Sequence, residues 1–150
     1  MKSRPKIIIS VFVFNSEGNK ILLGKRFYED TFSLISCKLS YGEDFEECAG
    51  RILSNTVNLT IEDKKRIKFL CSYNVVGNAI HNVAIDFYVQ ITNEEEKYHF
   101  NVDPYYFKDW DWHSYEEIIK MHESLFYGFQ IFLKKFNIKT LEDIKKIVSN

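Results

Sequence analysis

A nine-residue run near the start of the chain constrains the fold more than any other segment. Lys6 to Phe14 is almost uninterrupted in apolar side chains, most of them β-branched or aromatic. Such a run is typical of a strand buried on both faces of its sheet, because a strand with one wet face alternates apolar and polar residues. The pattern therefore predicts a central strand in a layered domain.

The rest of the chain alternates between strand and helix patterns. The pattern predicts further strands or extended segments over 20–26, 32–39, 68–76, 81–92 and 109–112, and helices over 44–56, from 114, over 125–136 and from 140. The charged segment 93–97 is interpreted as a solvated turn. This order predicts an α/β fold in which a mixed sheet carries helices on its faces, as one domain spanning residues 1–150.

The helix predicted over 44–56 has the clearest local signals. Asp44 occupies an N-cap position, and Glu47 three residues later completes a capping-box pattern. Apolar residues follow at helical spacing, which predicts one buried face. Its members are Phe45, Cys48, Ala49, Ile52, Leu53 and Thr56.

Composition excludes several classes of protein. The formal net charge of −1 provides no overall field that would attract nucleic acid or acidic membranes. The three cysteines lack metal-ligand spacing, which favours reduced thiols inside the cell. No stretch is long and apolar enough for a membrane span, and the start of the chain has no signal-peptide pattern. We therefore expect a cytoplasmic protein without a membrane partner.

The segment around the predicted helix resembles a known motif. From Phe32 to Arg51 and beyond, the chain is similar to the Nudix box, G-x5-E-x7-R-E-U-x-E-E-x-G-U, in which U is aliphatic. The segments 22–26, 109–117 and 125–128 resemble other parts of nucleotide-cleaning Nudix enzymes, in the same order. The resemblance implies a Nudix fold, an α/β/α sandwich with a mixed β-sheet.

Four positions keep the residue types of the box. They are Glu43, Arg51, Leu53 and Leu59. In the family the arginine holds the loop and the helix together, so the resemblance implies that role for Arg51.

The departures from the box concern its metal-binding face. Ile52, Asn55 and Thr56 stand where the family has three glutamates, while Cys37 and Asn58 replace its two glycines. The family cleaves a pyrophosphate bond with Mg²⁺ or Mn²⁺ bound at those glutamates, and Mg²⁺ requires hard anionic oxygens. Because none of the three replacements is charged, we expect no divalent metal site and no hydrolysis.

An alternative keeps weak metal-dependent chemistry. Glu43, Glu46 or Glu47 would then have to assemble a substitute site for hydrolysis of nucleoside diphosphate derivatives. Glu46 and Glu47 also lie in the first turn of the helix, where acidic residues stabilise the helix dipole. That structural role is the interpretation we favour.

Binding is the function that survives the loss of the glutamates. Lys25, Arg26 and Arg51 match positions near the substrate phosphates of the family, and cationic side chains suit phosphate oxygens. The hypothesis is a catalytically inactive Nudix-fold protein that retains a nucleotide in the old substrate cleft, docks on a larger partner such as RNA, a ribosome or a protein complex, or does both. A homodimer is also compatible with the resemblance.

Two further groups of residues have ordinary structural explanations. Phe12, Phe14 and Phe32 could stack on a base, although packing in the core is the favoured interpretation. Basic residues in 64–68 and 134–146 could contact RNA phosphates, although solvated helix and loop surfaces are the favoured interpretation.

Overall fold

The computed structural model describes residues 4–26, 30–77, 79–97 and 107–147. In this part of the chain the strands are β1 (Lys6–Phe14), β2 (Ile21–Arg26), β3 (Phe32–Ser33), β4 (Ile35–Lys38), β5 (Lys68–Val76), β6 (His81–Gln90) and β7 (Phe107–His113). The helices are α1 (Phe45–Val57), α2 (Asn93–Glu96), α3 (Tyr115–Lys120), α4 (Tyr127–Lys135) and α5 (Leu141–Lys145). Short 3₁₀ turns cover Lys64–Arg66 and His122–Ser124.

Strand β1 lies at the centre of a mixed sheet. It runs parallel to β6 over its whole length, from the pair Lys6–Asn82 to the pair Phe14–Gln90. Its other edge is shared, because β4 pairs with its first half and β2 meets its end at the pair Phe14–Ile21. Strand β5 pairs with β6, while β3 and β7 pair with β2. The mixed sheet predicted from the element order is confirmed.

Side chains of β1 alternate between two separate hydrophobic clusters. Ile9, Val11 and Val13 belong to the cluster that contains the buried face of α1. Phe12 and Phe14 belong to the other cluster, formed with side chains of α3, α4 and α5. Both faces of the sheet are thus covered by helices, as an α/β/α sandwich requires. No helix in the described ranges is long and apolar enough to cross a membrane.

Three details differ from the sequence predictions. The extended segment 32–39 is two strands, because β3 pairs with β2 whereas β4 pairs with β1. The segment interpreted as a solvated turn contains α2, which starts with a capping box between Thr92 and Glu95. Asp44 is the N-cap residue of α1, but its side chain makes no capping hydrogen bond, so the predicted capping box is wrong.

Salt bridging explains why the acidic segment folds as a helix. Glu95 accepts hydrogen bonds from Arg66 at 2.6 and 2.9 Å, and this guanidinium lowers the pKa of the Glu95 carboxyl to about 2. Glu96 accepts hydrogen bonds from the backbone N–H and the hydroxyl of Ser16. Glu94 lies 3.4 Å from the Lys97 ammonium. The partners of Glu95 and Glu96 are distant in the sequence, so a local pattern does not reveal them.

Candidate ligand-binding site

Helix α1 presents the three replaced positions toward a cavity. Ile52 is only 2% exposed and belongs to the core cluster below the helix. Asn55 is exposed and Thr56 is half-buried, and all three side chains line the cavity. The prediction that Ile52 extends the apolar face of the helix is confirmed. An apolar side chain therefore occupies part of the surface where the resemblance places metal ligands.

The remaining acidic residue of the box is engaged in an ion pair. Glu43 accepts hydrogen bonds from Arg51 Nε at 2.7 Å and from Arg51 Nη2 at 3.1 Å, in a two-point contact. It also accepts a hydrogen bond from the Ser40 backbone N–H at 3.1 Å. The Arg51 guanidinium is the main reason that the pKa of the Glu43 carboxyl falls to about 2. Glu43 is thus fully ionised at neutral pH and neutralised by a neighbour.

Arg51 contacts the loop before α1 at several further points. Its Nη2 lies 3.4 Å from the Lys38 carbonyl oxygen and 3.4 Å from the Ser40 hydroxyl. The same nitrogen lies 3.4 Å from the sulfur of Cys37 and 3.5 Å from that of Cys48. These contacts connect the end of β4, the following loop and the helix. They are the geometry expected for the linking role that the resemblance implies.

The residues present do not fit the metal chemistry of the Nudix family. Glu43 is paired with Arg51, and Glu46 and Glu47 are exposed on the first turn of α1. Within the described ranges, no group of three or more His, Cys, Asp or Glu side chains is arranged to hold a metal ion. Glu94, Glu95 and Glu96 do not line the cavity. Coordination of Mg²⁺ at α1 would therefore lack the carboxylates that it requires.

A cavity of about 630 Å³ nevertheless lies beside α1. Residues of α1 and β4 line one side, and residues of β5, β6 and the start of α4 line the other. Its polar wall includes two serine hydroxyls 3.0 Å apart, those of Ser10 and Ser36. Its apolar wall includes Phe126 and Phe129. This volume lies within the range of cavities that hold small-molecule ligands.

Two of the three predicted phosphate-binding residues line this cavity. Arg51 contributes from α1, and Arg26 contributes from the end of β2. The guanidinium of Arg26 lies 4.2 Å from the centre of the Phe126 ring, in cation–π geometry.

Lys25 does not line the cavity. Its ammonium forms a 2.9 Å ion pair with Asp30, and this partner raises the pKa of Lys25. Adjacent residues of a strand point to opposite faces, so neighbouring cationic residues are separated by the pleat. The structure therefore does not place Lys25 in the candidate site.

The aromatic side chains considered as base-stacking groups belong mainly to the core. Phe12 and Phe14 are fully buried against the helices on the α4 side, which confirms the packing interpretation. Phe32 is half-buried and packs against the same cluster. Three aromatic residues do line the cavity, and the sequence pattern placed Phe126 and Phe129 in a helix and Tyr73 in a strand.

Sequence reasoning missed a buried polar pair behind the cavity. The Tyr73 hydroxyl donates a hydrogen bond to Asp86 Oδ2 at 2.9 Å, and Tyr73 lines the cavity. Asp86 is fully buried, and its Oδ1 has no hydrogen-bond partner among the described residues. Burial raises the pKa of Asp86 to about 7, while the Tyr73 hydrogen bond acts in the opposite direction. A single acidic residue within the apolar run of β6 was the available signal.

The closing position of the box shows why the family prefers glycine there. Asn58 ends α1 with φ of 57°, in the left-handed region, and its backbone N–H bonds to Ser54 O. Leu59 N donates to Leu53 O at 3.1 Å, which completes a Schellman-type end. Asparagine tolerates this conformation better than most residues. The helix end of the motif is therefore preserved although its glycine is not.

We expect Asn58→Ala to lower the free energy of unfolding by about 1–2 kcal/mol, because Cβ strains the left-handed conformation. The matched Asn58→Gly variant should be as stable as the parent protein or slightly more stable. Urea unfolding of the three proteins measures both effects. Equal losses in the two variants would show that the Asn58 side chain, and not its backbone conformation, matters.

Comparison with solved structures places this geometry in a known fold. A MutT protein from Methanosarcina mazei Go1 superposes with a TM-score of 0.72 at 19% identity, covering 91% of this chain and 96% of that one. The NUDIX domain of Shewanella oneidensis NrtR, complexed with ADP ribose, superposes with a TM-score of 0.71 at 13% identity, covering 96% and 88%. The chain therefore has a Nudix fold.

Other comparisons define the limits of this similarity. A MutT/nudix family protein from Enterococcus faecalis superposes with a TM-score of 0.62 at 15% identity over 76% of this chain. The chain spans only 45% of the length of that protein. No family model matches the sequence. The similarity to these Nudix structures therefore concerns the fold alone.

Proposed function

We propose that this chain is a catalytically inactive Nudix-fold protein that binds a nucleotide in the cavity beside α1. The observation that carries the proposal is a cavity of ligand size beside α1 whose α1 residues include no acidic side chain. Ile52 is buried in the position of a metal ligand, and Glu43 is neutralised by Arg51. Two guanidinium groups, from Arg26 and Arg51, still line the cavity.

The ligand class follows from the chemistry of the walls. Guanidinium groups form hydrogen bonds with phosphate oxygens, and the half-buried Phe126 ring suits the flat face of a base. The Shewanella oneidensis NUDIX domain of the same fold was solved with ADP ribose. A nucleoside diphosphate derivative is therefore the first ligand to test.

Binding and turnover can be separated in one panel. ADP-ribose, nucleoside triphosphates, dinucleotides and capped RNA are each titrated by calorimetry and incubated with Mg²⁺ or Mn²⁺. We expect saturable binding of at least one compound, without hydrolysis of any. Metal-dependent turnover that Glu46→Gln or Glu47→Gln abolishes would favour the alternative hydrolase, and these exposed positions allow substitution without loss of the Glu43–Arg51 pair.

Arg26→Ala should weaken nucleotide binding by about tenfold or more, because a hydrogen bond to a charged group contributes about 1.5–3 kcal/mol. Lys25→Ala is the matched control, since its ammonium pairs with Asp30 and does not line the cavity. Its affinity should stay within about threefold of the parent protein. Equal losses in both variants, measured by calorimetry, would contradict the placement of the ligand in this cavity.

Docking on RNA, a ribosome or a protein complex remains a separate hypothesis. One member of the basic segment 64–68, Arg66, is engaged by Glu95 and by the Gln90 carbonyl oxygen. Purification from the native source distinguishes the hypotheses. Release of a nucleotide from the isolated protein would support nucleotide binding in the cavity. Co-purification with a particle and without a nucleotide would support docking on a larger partner.

A further inference from the structure

Two cysteines that are distant in the sequence meet beside the cavity. Cys37 lies in β4 and Cys48 lies in α1, and their sulfurs are 3.6 Å apart. A disulfide has an S–S bond of about 2.05 Å, so the sulfurs must approach by about 1.6 Å. Pairing of Cys37 with Ile9 of β1 and the packing of Cys48 in the core position both residues. The two thiols are thus arranged for bond formation by the fold itself.

The two thiols differ in accessibility. Cys37 is half-buried and lines the cavity, which gives a small oxidant a route to its sulfur. Cys48 is fully buried beneath it, and burial is the main reason that the pKa of its thiol is raised. An oxidant entering from the cavity therefore meets Cys37 first.

The guanidinium of Arg51 lies beside the same pair of thiols. Its Nη2 lies within hydrogen-bonding distance of both sulfurs, 3.4 Å from Cys37 and 3.5 Å from Cys48. One guanidinium thus contacts both members of the thiol pair. The combination of a neighbouring thiol, an adjacent cation and access through a cavity is characteristic of oxidation-sensitive cysteine pairs.

We propose that Cys37 and Cys48 are a modification site that closes into a disulfide between β4 and α1 when the protein meets a hydroperoxide. The Cys37 thiol attacks the peroxide, the O–O bond breaks, and Cys37 becomes a sulfenic acid while an alcohol or water leaves. The sulfur of Cys48 then attacks the sulfenic sulfur. An S–S bond forms, the S–O bond breaks, and the hydroxyl leaves with the Cys48 proton as water.

Mass spectrometry of the intact protein tests the proposal directly. After treatment with stoichiometric hydrogen peroxide, the protein should retain one of its three thiols and lose about 2 Da. Proteolysis without reductant should yield a peptide pair joined at Cys37 and Cys48, and dithiothreitol should separate it. A protein that keeps three thiols, or that carries a sulfinic acid at Cys37 without a link to Cys48, would overturn the proposal.

The third cysteine provides a matched control. Cys71 is buried in the cluster on the opposite face of the sheet, so Cys71→Ser should form the same link. Cys37→Ser and Cys48→Ala should each abolish it. Cys37→Ser keeps the test decisive if the core substitution lowers stability, because Cys37 is only half-buried. A link that persists in either of these two variants would assign the chemistry to another pair.

A consequence for binding rests on the proposed function. Closure draws the Cys37 sulfur toward α1 and changes the sulfur neighbours of Arg51, which lines the cavity. The affinity for ADP-ribose should therefore differ by about threefold or more between the reduced and the oxidised protein. Equal affinities would overturn this consequence. Absence of binding in both forms would instead count against the proposed function and leave the peptide result unaffected.

Discussion

Asp86→Asn is expected to abolish most of the loss of stability that the parent protein shows as the pH rises from 4 to 7. The carboxyl of Asp86 is fully buried, and its pKa is raised from 3.8 to about 7. This difference corresponds to about 4 kcal/mol over the whole range, of which about 2–3 kcal/mol falls between pH 5 and pH 8. Asparagine keeps an oxygen that accepts from Tyr73 and carries no charge.

The sign follows from the number of bound protons. Between pH 4 and pH 7 the folded protein keeps the Asp86 proton, whereas the unfolded chain has released it. The contribution of Asp86 to the free energy of unfolding therefore falls across this window and levels off above it. Glu43 and Glu95 act oppositely, because their lowered pKa values of about 2 contribute stability that is lost as the pH falls below 4.5.

Urea unfolding of both proteins at pH 5 and pH 8 measures the effect. The asparagine amide leaves an unpaired hydrogen-bond donor, which lowers the free energy of unfolding by the same amount at every pH. The prediction therefore concerns how the difference in free energy of unfolding between the two proteins changes from pH 5 to pH 8. Parallel pH profiles would contradict the prediction.

Tyr73→Phe is an informative companion to Asp86→Asn. It removes the hydrogen bond that stabilises the ionised Asp86 carboxylate, so it should cost more at pH 8 than at pH 5. Combined with Asp86→Asn, the Tyr73→Phe substitution should have a cost that is nearly independent of pH. Cys71 and Lys135 lie in the same surroundings and are unchanged in both variants.

Ile52→Ala is expected to lower the free energy of unfolding by about 2–4 kcal/mol, because it removes a buried side chain and enlarges the space beside α1. Ile52 is 2% exposed within the cluster below the helix. Asn55→Ala tests a neighbouring position on the same side of α1, and this exposed side chain should change stability by only about 0.5 kcal/mol. Urea unfolding at pH 7 measures both variants.

The controls separate volume from position. Ile52→Leu conserves volume and should cost less than about 1.5 kcal/mol. Thr56→Ala should fall between Asn55→Ala and Ile52→Ala, because Thr56 is half-buried. If Ile52→Ala cost no more than Asn55→Ala, the isoleucine would not be a packing residue, and the interpretation of this helix face would have to change.

Local patterns were sufficient to predict most helices and strands and the residues that share one side of α1. The apolar run of β1 predicted a strand covered on both sides, and its residues do alternate between two clusters. The spacing of Ile52, Asn55 and Thr56 placed them on one side of α1, where all three line the cavity. These predictions succeeded because the residues that share one face of a helix or a strand lie only a few positions apart in the sequence.

Tertiary structure decided which residues meet. The cavity, the Arg66–Glu95 pair, the burial of Asp86 beside Tyr73 and the approach of Cys37 to Cys48 all join residues from different elements. Their chemistry depends on distance and on exclusion of water, which a sequence pattern does not specify. The sequence by itself thus determined the helix α1 and the uncharged side chains of Ile52, Asn55 and Thr56 on one side of it. The assembly of β4, β5, β6 and α1 determined the cavity, the buried carboxyl and the pair of neighbouring thiols.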